Sequence, residues 1–498
     1  MTTSQPTRET AGPLSHRHRW AALSVLVGAV LLLAVDGTVL YLAVPSLTRE
    51  LAPTAIEILW IGDIYSLALA GLLVTAGNLA DRFGRKRVLL IGTAAFGLAS
   101  ALAAFSPTAG VLVLARLLLG IAGATIMPST LSLIRTLFPD PRERTRAIAV
   151  WSAGSGGGIA LGPLVGGALL EHYWWGSVFL INVPIVVVFL IAGAFLLPES
   201  RDPNPGRFDV LSAGLSMAAI VPLVYAVKHA VGSGIDAQVA VAAAVGVVSG
   251  VLFVRRQRRT ADPLIDVTLF RNGAFTGAVL ASFIAVFALM GLLFFFSQYL
   301  QLVRGFSPLR AGFAEMPATL ASIVVVAAVG VVVRRLGQGR AVAAALAVAA
   351  LGLALVAVAE PLPQYWWLGL TLVPVGLGVG LALTLTVDSV LSAVPPDKAG
   401  SASAISETAY ELGAALGIAI LGSLVTVAYR GFLPAGPIPA EARDSLASAA
   451  RVLAPESDLA DAAREAFTGA MQVTSLAAAG VTAIAAVIAW RTIPSGKD

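Results

Sequence analysis

"GNLADRFGRKRVLL", residues 77–90, separates two long apolar stretches and carries the sharpest pattern in the chain. Its basic residues would suit any loop at a membrane surface, but two glycines and an aspartate at fixed spacing need a further reason. Glycine permits close helix packing and tight turns, and Asp81 can pair with an arginine or a helix N-terminus. We interpret the segment as a latch that forms in one conformation and breaks in another. The residues that we assign to it are Gly77, Asp81, Arg82, Gly84, Arg85 and Lys86.

The composition around this segment is that of a membrane protein. Of the 498 residues, 57% are hydrophobic and only 12% are charged, whereas soluble proteins have about 25% charged residues. The lipid bilayer must therefore be the solvent for most of the surface. Basic residues occur in short clusters between apolar runs, which indicates membrane topology and not nucleic-acid binding. The chain has no cysteine, which excludes disulfides and thiolate metal sites, and we expect no metal and no cofactor.

The apolar stretches predict fourteen membrane helices, because about 20 apolar residues span the hydrocarbon core. An even number puts both termini on one side. Most of the 33 lysines and arginines then lie on that side, which predicts cytoplasmic termini; Lys228 falls in an outer loop and Arg116 inside a helix. The predicted spans are 20–42, 56–79, 87–106, 109–133, 146–170, 176–197, 210–229, 237–254, 274–300, 310–333, 341–359, 365–390, 402–428 and 470–490.

The chain also repeats itself. "DRFGRKR" (81–87) follows the second predicted helix and "RRLGQGR" (334–340) follows the tenth, with Gly84 matching Gly337. This predicts two six-helix halves with a site between them at mid-membrane, and helices 7 and 8 as an inserted pair. The predicted units are a cytoplasmic tail (1–19), the N-terminal half (20–197), a cytoplasmic linker (198–209), helices 7 and 8 (210–254), a basic linker (255–273), the C-terminal half (274–490) with an outer loop (429–469), and a cytoplasmic tail (491–498).

Three motifs resemble those of the major facilitator superfamily. Residues 77–90 match, residue by residue, its loop signature Gly-x-Leu-Ala-Asp-Arg-x-Gly-Arg-Lys. "RLLLGIAGA" (116–124) is similar to its fourth-helix motif, an intramembrane arginine followed by small residues. "GIALGPLVGG" (158–167) is similar to its fifth-helix motif, which is associated with antiporters. Glycines four residues apart share a helix face and let another helix approach closely. The residues of this last motif are Gly158, Gly162, Pro163, Gly166 and Gly167.

Within the superfamily, the chain resembles the fourteen-helix drug:proton antiporters of bacteria. The resemblance lies in "DGTVLYLAVP" (36–45), "WIGDIYSL" (60–67) and "FLINVPI" (179–185), and it covers nearly the whole chain. It implies an all-α polytopic protein with the major facilitator fold, and export of quaternary ammonium compounds, dyes and related cations. Two features depart from the pattern: Tyr41 replaces a usual asparagine, and the core of helix 10 has no acidic residue, although Glu315 lies nearer its outer end.

Ionisable residues inside the predicted helices are the candidate site. A charge at the bilayer centre costs about 2.5–3.5 kcal/mol on insertion scales, so such residues are functional by default. Asp36, Asp63 and Arg116 should lie at similar depth in the N-terminal half, forming a site whose protonation responds to rearrangement. Glu407 and Glu411 share a helix face in the opposite half. We assign these five residues to proton coupling and substrate binding, and we count Asp388 as a weaker buried candidate.

Aromatic residues could complete a wall for a delocalised cation through cation–π contacts. The candidates are Trp60, Tyr65, Phe295 and Tyr410.

These observations predict a proton-driven, multi-pass exporter of lipophilic cations in the bacterial cytoplasmic membrane, conferring antibiotic resistance. We expect protons, lipophilic cationic molecules and the lipid bilayer as its partners, no nucleic acid, and a monomer. No motif of an enzyme is present, such as a phosphate-binding loop or a His-Glu-x-x-His zinc site. Two alternatives remain: a transporter of a small neutral or zwitterionic metabolite, and a membrane sensor or scaffold that transports nothing.

Overall fold

The computed structural model describes residues 15–201, 209–260, 263–395 and 398–495, so the predicted tails and linkers lie partly outside the described residues. Fourteen helices in this part are long and apolar enough to cross a membrane, which confirms the predicted number. They are helix 1 (His16–Leu51), helix 2 (Ala55–Phe83), helix 3 (Arg85–Ala104), helix 4 (Ala109–Leu137), helix 5 (Pro141–His172), helix 6 (Ser177–Leu180 and Asn182–Leu196), helix 7 (Val210–Ser233), helix 8 (Ala237–Gln257), helix 9 (Gly273–Gln298, with a π turn at Tyr299–Val303), helix 10 (Pro308–Val324, a 3₁₀ turn at Val325–Ala328, and Val329–Leu336), helix 11 (Gln338–Ala359), helix 12 (Tyr365–Ser392), helix 13 (Ala399–Phe432) and helix 14 (Asp458–Thr492).

Polar residues at the ends of these apolar runs fix where the helices begin. Helix 2 starts with a capping box, in which the Thr54 side chain accepts from the Glu57 amide and Glu57 accepts from the Thr54 amide. At helix 5, the Asp140 side chain caps the Glu143 amide and proline occupies the first turn. Such caps satisfy amides that have no partner within the helix, so they stabilise the first turn at these two positions.

Helices 1–6 and helices 9–14 pack in the same way, which confirms the two-half architecture. In each set, the first helix packs on the fifth and sixth, the second on the fourth, and the third on the fourth and sixth. The halves then meet through equivalent helices, since helix 2 packs on helix 13 and helix 5 packs on helix 10. The interface between the halves is therefore built from equivalent helices of the two repeats.

Gly84 and Gly337 occupy equivalent places in this repeat. Both have positive φ angles, 109° and 77°, at the junction between the second and third helix of their half. Each junction is also held by the chain that follows the sixth helix of its half: the Arg85 amide donates to the Ser200 carbonyl (2.9 Å), and the Gly339 amide to the Pro494 carbonyl (3.2 Å). A side chain at either glycine would strain the turn, which explains why both repeats keep glycine there.

The two halves contact each other directly at one end of the helix bundle. We call the end where helix 1 begins and helix 14 ends the terminal face, and the other end the loop face. At the loop face, the Gln301 Nε2 atom donates to the Leu42 carbonyl (3.0 Å) and Gly312 packs against the Pro163 carbonyl. The Asp444 carboxylate accepts from the Ala55 amide (2.6 Å). The halves are therefore joined at the loop face.

The connection between helices 13 and 14 lies over this junction. It spans residues 433–457 and contains two short helices, Ala440–Asp444 and Leu446–Val452. This is shorter than the expected 429–469 because helix 13 continues to Phe432 and helix 14 already begins at Asp458. Since it also packs on helix 1, the connection touches both halves.

The inserted helices 7 and 8 lie at one side of the interface between the two halves. Helix 7 packs against helix 2, helix 13 and helix 8. Where helices 7 and 8 meet the terminal face, Arg256 forms two hydrogen bonds with the Asp209 carboxylate, at 2.9 and 3.0 Å, and Gln257 donates to Ser212 (2.8 Å). The pair is thus built into the bundle through helix 7.

Candidate functional site

The first charged cluster is centred on Asp36 in helix 1. Its Oδ2 atom lies 3.0 Å from Nη1 of Arg116 in helix 4, and its Oδ1 atom accepts from Nδ2 of Asn182 in helix 6 (2.7 Å). Asn182 also donates to Ser100 in helix 3 (3.2 Å), and Arg116 donates through Nε to the Ile61 carbonyl of helix 2 (3.2 Å). The cluster therefore ties five helices of the N-terminal half together around one buried ion pair.

This cluster is fully enclosed. Asp36 and Arg116 are 0% and 1% exposed, and the Arg116 guanidinium lies 4.6 Å from the centroid of the Tyr65 ring. The expected proximity of Asp36 and Arg116 is thus confirmed. Asn182 was missed, although the polar residue inside the apolar run "FLINVPI" was a usable signal.

The second cluster is centred on Asp63, which we expect from the sequence to form one site with Asp36 and Arg116. Asp63 of helix 2 pairs instead with Lys228 of helix 7, whose Nζ lies 2.7 Å from Oδ1 and 2.6 Å from Oδ2. The charge count assigns Lys228 to an outer loop, although the predicted span 210–229 includes it; the structure places it inside helix 7, which continues to Ser233, and Lys228 is 1% exposed. Its Nζ also lies 3.6 Å from the centroid of the Trp60 ring. A single lysine near the end of a predicted span was the signal for this residue.

The third group consists of Glu407 and Glu411 in helix 13. Both side chains are partly exposed although they lie well inside a membrane helix. The Ser66 hydroxyl of helix 2 lies against the Glu411 carboxylate, so this group faces the N-terminal half. Neither glutamate belongs to any ion pair among the described residues. Glu411 thus faces the N-terminal half, Glu407 lies one turn away on the same helix face, and neither has a fixed cation within the described ranges.

Two further acidic residues differ from the prediction in their burial but not in their position along the chain's helices. Asp388 is exposed, not buried, and accepts a hydrogen bond from Gln338 (3.1 Å), because it lies near the terminal-face end of helix 12. Glu315 is 3% exposed, and its Oε1 atom has no hydrogen-bond partner among the described residues. Helix 10 therefore does carry a buried acid.

The four candidate aromatic residues divide into two kinds. Trp60 and Tyr65 lie against the protein's own cations, Lys228 and Arg116. Phe295 is buried where the halves meet, and its ring would touch a side chain placed on Gly422 of helix 13. Tyr410 is partly exposed, on the residue before Glu411. Trp60 is also partly exposed, but its ring is already occupied by the Lys228 ammonium, which leaves Tyr410 as the better candidate for contact with a substrate.

Sequence comparison agrees with this arrangement. Residues 26–418 match the Major Facilitator Superfamily. The chain belongs to this superfamily. It is accordingly a membrane transporter and not an enzyme.

Relatives within the superfamily cover almost the whole chain. The multidrug efflux pump LfrA of Mycolicibacterium smegmatis is 46% identical over 479 residues, which are 94% of this chain and 95% of LfrA. The methyl viologen resistance protein SmvA of Salmonella typhimurium is 38% identical over 490 residues, 96% of this chain and 99% of SmvA. Among solved structures, a bacterial homologue of the human lysosomal transporter Spinster, in an inward-facing and unoccupied conformation, has a TM-score of 0.69 at 15% identity and covers 96% of this chain and 98% of that chain. This last likeness supports the fold.

The fifth-helix motif of this superfamily member packs as its spacing predicts. A methyl group on Gly158 would lie 2.6 Å from Cβ of Ala34 and 2.7 Å from the Leu31 carbonyl, both in helix 1. Gly162 and Gly166 face the next two turns of the same helix. Gly167 instead faces helix 10, where a methyl group would lie 2.7 Å from Cα of Leu309. The motif thus holds helix 5 against its own half with one face and against the other half at its end.

The superfamily loop motif is engaged within its own half. Asp81 accepts from Nε of Arg85 (2.8 Å), and Arg85 also donates to Thr136 (3.2 Å). The Lys86 ammonium donates to the Ala194 carbonyl (2.6 Å), while Arg82 is exposed over the Phe83 ring. Gly77 faces Pro128 at an ordinary contact distance of 3.4 Å, so unusually close packing is not required there.

Proposed function

We propose that this transporter exports lipophilic cations, including cationic drugs, dyes and quaternary ammonium compounds, in exchange for protons. The observation that carries the proposal is the pair Glu407 and Glu411, two partly exposed carboxylates inside a membrane helix that belong to no ion pair in the described part of the chain. The names of LfrA and SmvA support it, since one is called a multidrug efflux pump and the other a methyl viologen resistance protein. Methyl viologen is itself an organic cation.

The chemistry of exchange follows from how an enclosed carboxylate can be neutralised. A carboxylate inside a membrane protein is costly unless it is paired or protonated. Asp36 and Asp63 already hold Arg116 and Lys228. Glu407 and Glu411 are instead open to either a proton or an organic cation, and each ligand excludes the other. This competition is the minimum requirement for antiport.

Alternating access needs two sets of contacts between the halves, and one is visible. The halves are joined at the loop face through Gln301 and Leu42 and through Asp444 and Ala55. At the terminal face, Asp81 and Arg85 of the loop motif pair within their own half. We infer that this conformation opens toward the terminal face, and that the loop motif engages the other half when the loop face opens.

The charge distribution supports a location and an orientation. Most lysines and arginines lie at the terminal face, which the positive-inside rule assigns to the cytoplasm. We therefore place the protein in the bacterial cytoplasmic membrane, as a monomer, with the terminal face inside. The conformation described here is then inward-facing.

Transport by purified protein in liposomes tests the proposal. With a pH gradient imposed across the membrane, ethidium flux should require the gradient and should move protons in the opposite direction. E407Q and E411Q should abolish both movements. E456Q is the matched control, because Glu456 is an exposed glutamate in the loop-face connection and its loss should change neither.

The same experiment distinguishes the alternatives. If no cation in a broad panel moves protons, the cation proposal is wrong, and sugars and amino acids become the next panel. If E407Q and E411Q both exchange ethidium for protons at the wild-type rate, the assignment of Glu407 and Glu411 is wrong, but the proposed transport activity stands.

A further inference from the structure

Helix 7 of the inserted pair buries the ammonium group of Lys228 inside the protein, where desolvation of the charge costs free energy. Lys228 brings helix 7 into contact with Asp63 of helix 2, and both residues are buried. A buried ion pair gains little over an apolar pair of similar size, because the desolvation penalty offsets the Coulomb attraction. The pair therefore calls for a role besides stability.

The geometry around the lysine ammonium is that of a bound organic cation. Nζ contacts both oxygens of Asp63, at 2.7 and 2.6 Å, and lies 3.6 Å from the Trp60 ring centroid. A carboxylate beside an aromatic face is the combination that recognises alkylammonium ligands. Trp60 and Asp63 are three residues apart on helix 2, so one helix face supplies both groups. Trp60 also remains partly exposed.

The position of helix 7 connects this subsite to movement of the two halves. Helix 7 packs against helix 2 of one half and helix 13 of the other. Next to the ion pair, a small apolar cluster joins the three helices through Leu67, Val224 and Ala415. When helices 2 and 13 move relative to each other, helix 7 cannot keep both contacts unchanged. Lys228 is thus attached to an element that must shift during transport.

We propose that Lys228 is a tethered cation that fills an organic-cation subsite formed by Asp63 and Trp60, and that helix 7 releases this subsite during the transport cycle. The inference rests on the proposed function, because it assumes that the transporter carries organic cations. It gives the inserted pair a role, namely regulating when Asp63 is available. A tethered competitor multiplies the apparent affinity for a free ligand by the fraction of the protein in which the subsite is empty.

Equilibrium binding of tetraphenylphosphonium to purified protein tests this inference. Removing the tethered competitor in K228M should raise the affinity about tenfold or more, as expected when the free subsite was populated below about a tenth. D63N/K228M should lose this gain, since the carboxylate is gone. K398M is the control, because Lys398 forms an ion pair with Asp266 away from this site (2.7 Å) and its loss should leave the affinity unchanged. Equal affinity in K228M and the wild type would overturn the inference.

If K228M fails to fold, the charge-exchange variant D63K/K228D tests the subsite instead. It restores an ion pair of opposite direction and should give a folded protein, but without tighter binding and with impaired tetraphenylphosphonium transport. Full wild-type transport by the exchange variant would show a structural pair only and would reject the subsite. Failure of the proposed function is seen separately, as absence of proton-coupled cation transport by the wild type.

Discussion

Asp36 and Arg116 form a buried ion pair at 3.0 Å that joins helix 1 to helix 4. Asn182 completes the pair from helix 6 (2.7 Å), so the two charges are compensated without solvent. The N-terminal half is thus organised around a buried, charge-balanced ion pair. Glu407 and Glu411, which belong to no ion pair in the part of the chain that the structure describes, lie in the other half.

We predict that D36N destabilises the protein, because it leaves the Arg116 guanidinium buried without its counter-charge. Removing one partner of a buried pair costs about 3–5 kcal/mol. Thermal unfolding of the detergent-solubilised variant should show a clear loss of stability. The double variant D36N/R116Q should recover most of it, since no lone charge remains. Equal stability of D36N and the wild type would contradict the assigned role of the pair.

The glycine face of helix 5 gives a prediction with an internal control. G158A should destabilise the protein by about 1–3 kcal/mol, the usual cost of overpacking, because the methyl group would lie 2.7 Å from the Leu31 carbonyl. G157A places the same group where no atom lies within 4 Å. It should be neutral or stabilising, since alanine is favoured over glycine in helices by up to about 1 kcal/mol. Thermal unfolding measures both, and similar effects of the two changes would contradict the close approach of helices 1 and 5.

The ion pair between Asp209 and Arg256 predicts a pH-independent attachment of helices 7 and 8 at the terminal face. Partial burial would raise the pKa of Asp209, but hydrogen bonds from Arg256 and Ser212 outweigh it and lower the pKa to about 2. A carboxyl with a lowered pKa stabilises the fold fully above its ordinary pKa of 3.8 and loses this effect as the pH falls through about 2. D209N should therefore lower the unfolding temperature equally at pH 7.5 and pH 5. A smaller effect at pH 5 would show that Asp209 titrates in the physiological range.

The contact between Asp444 and Ala55 predicts that the loop face can be locked. The natural chain has no cysteine, so A55C/D444C would carry the only two thiols. A short thiol cross-linker should join them, because the Asp444 carboxylate lies 2.6 Å from the Ala55 amide. Cross-linked protein in liposomes should stop transporting ethidium and recover when a cleavable linker is reduced. The single variants A55C and D444C should be unaffected by the reagent, and transport by the fully cross-linked pair would contradict alternating access at this face.

Much of the fold could be predicted from the sequence because its signals are local. Apolar runs set the number of helices, and the match between Gly84 and Gly337 revealed the repeat, since both turns need a positive φ angle. The glycines of the fifth-helix motif lie on one face by spacing alone. Asp36 and Arg116 could be paired by counting residues along their helices.

The partners of the charged residues were harder to predict because they depend on how distant helices pack. Asp63 pairs with Lys228, 165 residues away, on a helix outside the repeat. No periodicity in the sequence indicates which face of helix 2 meets helix 7. The burial of Glu315 was missed for the same reason, since its cover comes from other helices.

Substrate-induced proton release tests the central claim most directly. Purified protein in detergent, in weakly buffered solution with a pH-sensitive dye, would be mixed with tetraphenylphosphonium or methyl viologen. Wild-type protein should release protons on binding, because the cation replaces them at Glu407 and Glu411, and E407Q/E411Q should release none while E456Q behaves as the wild type. Undiminished proton release by E407Q/E411Q, or substrate binding by the wild type with no proton release, would contradict the account.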